Sequence, residues 1–312
     1  MLKRLFAAAA IAASALVLPA CNTSSGPPPP VQVHQRLLVA NFAAGGTTSN
    51  IVAYTFPLSA ASAPTSTIPG SAGGPNGATG LIEDFFGNLF VADQDSNAVI
   101  AYTPLVGSAS TPALTLVNGV HQPQDMTFDS NQIFYVANFS TGTNPTGTIS
   151  VYTGTLANTS VPAVTVTTGL NGPTSVTSNG AVIFVANKTG GNVVAYNLPV
   201  TGASAPALTL SNGLTTPVTV GFDASNNLYV VDNAASKVDV YTGSLLGNPA
   251  PNFAVTNGIN APRYLAFDTS GLMYVSNAGS ITVYQTPVSA ASAPILTITT
   301  GLNNPVGLVV GI

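Results

Sequence analysis

The chain has no tryptophan, one cysteine, two histidines and one glutamate among its 312 residues, and charged side chains make up only 5% of it. Each shortage removes a class of chemistry. A lone cysteine, Cys21, cannot form an intrachain disulfide. Two histidines, His34 and His121, cannot supply a three-histidine zinc centre. Glu83 has no second glutamate to serve as an acid–base partner, and no Ser-His-Asp pairing is legible. Six lysines and arginines face ten acids; setting aside Lys3 and Arg4 leaves four bases against ten acids, a net charge of −6. Nucleic acid is therefore excluded as a partner, because phosphate neutralisation needs a basic patch. After residue 20 no apolar run approaches the roughly 20 residues of a membrane-spanning helix.

What is present begins with an address. Met1–Ala20 runs from Lys3 and Arg4 through an apolar stretch, Leu5 to Leu18, to small residues, the order of a secretory signal. Residues 21–36 include Ser24-Ser25-Gly26 and Pro27 to Pro30, a composition that buries no core and favours extended geometry, so they read as a tether.

From Leu37 to Ile312 one block recurs: a turn of the type Gly-Leu-Asn-x-Pro, then Phe-Asp, then Tyr-Val-Ala-Asn, then a segment ending in tyrosine. The closing residues are Tyr54, Tyr102, Tyr152, Tyr196, Tyr241 and Tyr284. A period of about 46 residues signifies a solenoid or a propeller. In the copy starting at Asn118, turn chemistry leads to a first strand over Gln124–Phe128 and a second over Ile133–Ala137, whose near-continuous apolarity marks coverage on both faces. A third strand ends at Tyr152, and a fourth, Ala163–Thr167, alternates apolar residues with threonine, as an outer strand with one wet face does. The chain enters at Leu37–Asn41 as a second strand without a first, and leaves at Pro305–Val310 as a first strand without a second. Joined, the two complete a blade. The expectation is an all-β, six-bladed propeller of four-stranded blades over residues 37–312, closed by pairing the C-terminal strand with the N-terminal blade.

Two resemblances carry further expectations. Leu18-Pro19-Ala20-Cys21 resembles the lipobox of bacterial lipoproteins, which implies lipidation of Cys21 and a membrane-anchored protein of the cell envelope. Asn22 after the cysteine agrees with outer-membrane sorting. The segments Tyr135-Val136-Ala137-Asn138, Phe184-Val185-Ala186-Asn187 and Phe90-Val91-Ala92-Asp93 resemble NHL-repeat propellers and the related Tyr-Val-Thr-Asn family of exported propellers. The resemblance spans about 276 residues (37–312) and specifies architecture. Without tryptophan, neither the Trp-Asp signature of WD40 blades nor the docking motifs of quinoprotein propellers is present.

Copied positions are scaffold, so function is sought where copies differ. His121 stands where other copies have Asn171, Asn260 and Asn303; Gln124 and Asp125, and Arg263 and Tyr264, follow the turn proline where another copy has Val218 and Thr219. Lys188, Phe42 and Phe139 follow the asparagine that ends a second strand. These eight form the candidate binding rim, on the face carrying the turns between blades. The plainer alternative is drift on a solvated rim with an Asp125–Arg263 ion pair. Asp129, Asp223 and Asp268 read as turn caps, and Asp93 and Asp232 replace asparagine at strand ends. Asp93-Gln94-Asp95-Ser96-Asn97 opens like a calcium loop but lacks the following glycine and distant glutamate.

Glu83 occupies the place of Phe128, Phe222 and Phe267, and a carboxylate there requires a partner. Six-bladed SMP-30-type lactonases hold a divalent metal with Glu, Asn and Asp, and a similarity on this point implies a metal at Glu83. The leading expectation is nonetheless a monomeric, lipid-anchored, non-catalytic binding propeller without cofactor, whose ligand is a protein, a small molecule or a carbohydrate. The alternative is a divalent-metal-dependent lactonase using the central channel.

Overall fold

The structure, a computed structural model, describes residues 35–42, 49–70, 74–104, 107–140 and 144–311. The leader, Cys21 and the tether as far as His34 lie outside the described residues. Twenty-four strands build six antiparallel four-stranded sheets, and no helix occurs among the described residues.

The first blade combines both ends of the chain: β1 (Arg36–Asn41), β2 (Asn50–Thr55) and β3 (Ser66–Pro69), with β24 (Pro305–Gly311) innermost. The second holds β4 (Ala78–Glu83), β5 (Leu89–Asp93), β6 (Ala98–Tyr102) and β7 (Leu114–Leu116), and the third β8 (Pro123–Phe128), β9 (Phe134–Asn138), β10 (Thr148–Tyr152) and β11 (Val164–Val166). The fourth holds β12 (Pro173–Ser178), β13 (Val182–Asn187), β14 (Asn192–Asn197) and β15 (Leu208–Leu210). The fifth has β16 (Pro217–Phe222), β17 (Leu228–Asp232), β18 (Lys237–Tyr241) and β19 (Phe253–Val255); the sixth has β20 (Tyr264–Phe267), β21 (Leu272–Ser276), β22 (Ile281–Gln285) and β23 (Leu296–Ile298). β24 pairs with β1 from Pro305↔Asn41 to Gly311↔Arg36, which closes the ring at the expected place, with β1 starting one residue earlier and β24 ending one residue later than the repeat indicated.

The core lies between blades. Its six apolar clusters each join neighbouring sheets, as Leu38 and Ile51 join Leu89 and Ile100, or Tyr135 and Val151 join Ile183 and Val194. Second and third strands are buried on both faces, which is why their sequences are continuously apolar.

Three repeated polar devices explain the repeated sequence. First, the residue ending each second strand, or its neighbour Asn277, clamps the turn entering its blade. Asn41 accepts from the Asn303 amide, Asn138 from His121 and Asn187 from Asn171, while their side-chain amides donate to the carbonyls of Gly301, Gly119 and Gly169. Second, Asp84, Asp129, Asp223 and Asp268 cap the hairpin between first and second strands; Asp129, Asp223 and Asp268 also accept from Tyr135, Tyr229 and Tyr274. Third, four closing tyrosines donate to a carbonyl of the entering turn: Tyr54 to Thr300, Tyr152 to Asn118, Tyr196 to Thr168 and Tyr284 to Asn257. Beside that hydroxyl sits a positive-φ glycine, as at Gly119 and Gly301, where an added Cβ would strike the proline of the blade's own Ala-Ser-Ala-Pro or equivalent loop, Pro162 or Pro64.

Where aspartate replaces asparagine the device changes hand. Asp93 accepts from the amides of Asn76 and Gly77, and Asp232 from Thr215 and Thr216, because a carboxylate has two acceptors and no donor. These are the two blades whose closing tyrosines, Tyr102 and Tyr241, have buried hydroxyls without a partner. In the fifth blade Lys237 supplies the missing donor to the Gly213 carbonyl at 2.9 Å and pairs with the buried Asp239, also at 2.9 Å.

Candidate functional site

The innermost strands bulge immediately after the turn. The register slips between Pro123 and Asp125, Pro173 and Ser175, Pro217 and Thr219, Ala78 and Leu81, and in β24 opposite Val39 and Asn41. A bulge turns one extra side chain out of the ladder. The result is a ring of six equivalent residues, one per blade, around the channel mouth: Thr79, Gln124, Thr174, Val218, Arg263 and Val306. Lys188 and Asn233 complete the wall, Tyr264 forms the floor, and the open cavity they line measures about 190 Å³.

One position further along each strand lies a second ring: Gly80, Asp125, Ser175, Thr219, Tyr264 and Gly307. It is a plug. The Tyr264 hydroxyl reaches across the axis from the sixth blade and donates to Asp125 Oδ1 of the third at 2.8 Å. Ser175 Oγ donates to Asp125 Oδ2 at 2.8 Å, and the Val176 amide approaches the same oxygen at 3.3 Å. Small residues leave room for the one large ring. A Cβ on Gly80 would lie 2.8 Å from Asp125 Oδ1, and one on Gly307 would lie 2.0 Å from the Thr79 carbonyl oxygen.

Asp125 is 2% exposed, and burial raises its pKa to about 6 against the lowering pull of the Tyr264 and Ser175 hydrogen bonds. Burial beside that carboxylate holds Tyr264 well above the ordinary phenol range. Arg263 sits in the wall with its Nε buried and unpartnered, and desolvation lowers its pKa. No ion pair joins Asp125 to Arg263; the carboxylate instead takes its bonds from hydroxyls and an amide inside the channel.

Of the eight rim candidates, Gln124, Lys188, Arg263 and Tyr264 line the mouth and Asp125 lies beneath it. The other three lie outside the cavity lining. His121 is exposed and contributes its backbone amide to the Asn138 clamp, Phe42 donates its amide to the Asn304 carbonyl and accepts from the Asn304 side-chain amide, and the Phe139 ring packs on the turn at Gly172.

Glu83 is held by an arginine. Its Oε1 accepts from Arg36 Nη2 at 2.8 Å, at the end of the channel away from the mouth and against Gly311 of the closing strand. Among the described residues no three His, Cys, Asp or Glu side chains group as a metal would require. Both charges are largely buried, so deleting one alone strands the other. Glu83→Gln is expected to lower unfolding free energy by about 2 kcal/mol and the double change Arg36→Met, Glu83→Leu by less. Denaturant melts with and without a chelator measure this; a loss that appears only on chelation would restore the metal.

Sequence comparison missed Arg36, assigned to the tether, and Asn233, whose neighbours mask it in the repeat. It also missed a larger apolar cleft of about 560 Å³ between the second and third blades on the opposite face, lined by Phe90, Leu114, Phe128 and Leu156. The signal was available there: the hairpin tip that is Ser130-Asn131 or Ala224-Ser225 elsewhere is Phe85-Phe86, 85% and 74% exposed.

No protein-family profile matches the chain, and no curated protein matches it in sequence. Solved structures do match in fold. A protein from Lactobacillus plantarum superposes with a TM-score of 0.62 at 14% identity, covering 89% of this chain and 99% of that one. A candidate 6-phosphogluconolactonase from Bacteroides fragilis gives 0.59 at 14% identity over 91% and 99%. A chain of a nidogen–laminin complex gives 0.61 at 14% identity over 89% and 98%. At such identities the likeness is one of fold.

Proposed function

We propose that the protein is a binding propeller, held at a membrane by lipidated Cys21, that engages its ligand through the channel mouth and performs no chemistry there. The observation that carries the reading is the plug. Asp125, the acid beneath the mouth, is spent on Tyr264, Ser175 and Val176, and the hydroxyl of Tyr264 is spent on Asp125. What faces the cavity is binding inventory: two cations, two amides, two threonines and two valines.

The fold neighbour described as a candidate lactonase lends the hydrolase alternative its support, but Glu83, the residue that invited a metal, is bonded to Arg36. Two measurements test the proposal. Cys21→Ser is expected to move the protein from the membrane to the soluble fraction, and a tight membrane fraction that persists would sink the anchor. A photo-crosslinking side chain at Val218 in the mouth is expected to give adducts in the host envelope that the same group at Phe85, on the far face, does not; equal yields would sink the mouth as contact surface.

A further inference from the structure

Four basic residues are described in this acidic chain: Arg36, Lys188, Lys237 and Arg263. Arg36 is bonded to Glu83 and Lys237 to Asp239. The other two have no acid partner among the described residues, and both line the mouth, in whose wall no carboxylate stands. Two cations gathered in one cavity repel each other, and Arg263 further carries the cost of a buried, unpartnered Nε. An anion relieves both.

The neutral groups say which anion. Gln124 spends its amide protons on Gln94 Oε1 and the Gln122 carbonyl, and Asn233 donates to the Pro262 carbonyl. The Thr79 hydroxyl donates to a backbone carbonyl as well. Gln124 and Thr79 have only acceptors left, and Asn233 keeps its carbonyl and one amide proton, so the wall offers charge-bearing donors at two points and mostly acceptors elsewhere. A matching ligand carries a planar oxyanion for the guanidinium fork and hydroxyl protons for the acceptors. The volume of about 190 Å³ holds roughly six waters' worth of matter, and Val218 and Val306 offer a short carbon chain an apolar wall.

We propose that the channel mouth binds a small hydroxylated carboxylic acid, its carboxylate held between Arg263 and Lys188. The inference rests on the mouth being the binding surface. It is tested by titrating the ¹⁵N-labelled full chain with glycerate and gluconate, with acetate, glycerol and inorganic phosphate as comparisons, while following the arginine Nε–H resonances.

Glycerate or gluconate is expected to move the Arg263 resonance and leave that of Arg36 in place. Acetate binds more weakly and glycerol has no effect. Arg263→Gln and Lys188→Gln each weaken binding about tenfold or more, with Arg263→Lys intermediate. Melting curves of the variants confirm that they fold. An Arg263 resonance unmoved by millimolar hydroxy acid, affinity unchanged in both variants, or tighter binding of phosphate would each overturn the carboxylic acid. If the Val218 crosslinks persist in that case, the mouth remains the binding surface and only the ligand class fails.

Discussion

Gly307→Ala should cost about 3 kcal/mol or more and lower the melting temperature by roughly 10 °C. The added methyl would sit 2.0 Å from the Thr79 carbonyl oxygen and 3.1 Å from Gly80 Cα, both backbone atoms of the neighbouring inner strand. Backbone cannot swing aside as a long side chain does, so two innermost strands must part or the closing strand must shift. Gly279→Ala, where a Cβ meets nothing within 4 Å, provides the control and should change stability little. Equal melts for the two variants would show that the inner strands do not pack as described.

The second large effect is in the pH dependence. Burial raises the Asp125 carboxyl to about 6 in the folded state, against 3.8 for a solvated aspartate. The folded protein therefore keeps a proton that the unfolded chain releases between about pH 4 and pH 6, so stability falls as pH rises through that window. A shift of about two pH units corresponds to about 3 kcal/mol, the cost of a buried charge with no cation to answer it. Asp239, raised to about 6 chiefly by burial and held down by Lys237, contributes in the same direction. The protein should melt higher near pH 5 than near pH 7.5, and Asp125→Asn should flatten the slope and stabilise by about 2 kcal/mol at the higher pH. A wild-type midpoint that rises between those values would overturn the burial of a charged Asp125.

The blade pattern was legible because it is local. Turn prolines, capping aspartates and closing tyrosines act within one repeat unit or between adjacent ones, so each copy states them again, and strand boundaries fell within about a residue of those read from the repeat. The plug was only half legible. Asp125 and Tyr264 stood out as departures from the copies, but they lie 139 residues and three blades apart, and no periodicity reports a bond across the axis. Gly80 and Gly307, which make the room for that bond, read as ordinary glycines. The Lys237–Asp239 pair was hidden differently: its meaning depends on Asp232 having lost the donor that Asn138 and Asn187 provide in their blades.

The blade shared between β1 and β24 also sets when the fold can be finished. Arg36 and Gly311 must meet although most of the propeller lies between them in sequence, so during synthesis the first blade waits, one strand short, until β24 has left the ribosome. Contacts of such sequence separation form late and slowly. Until then β1 presents an unpaired inner edge, and a chain that stops short of β24 would keep that edge and the exposed apolar layer behind it.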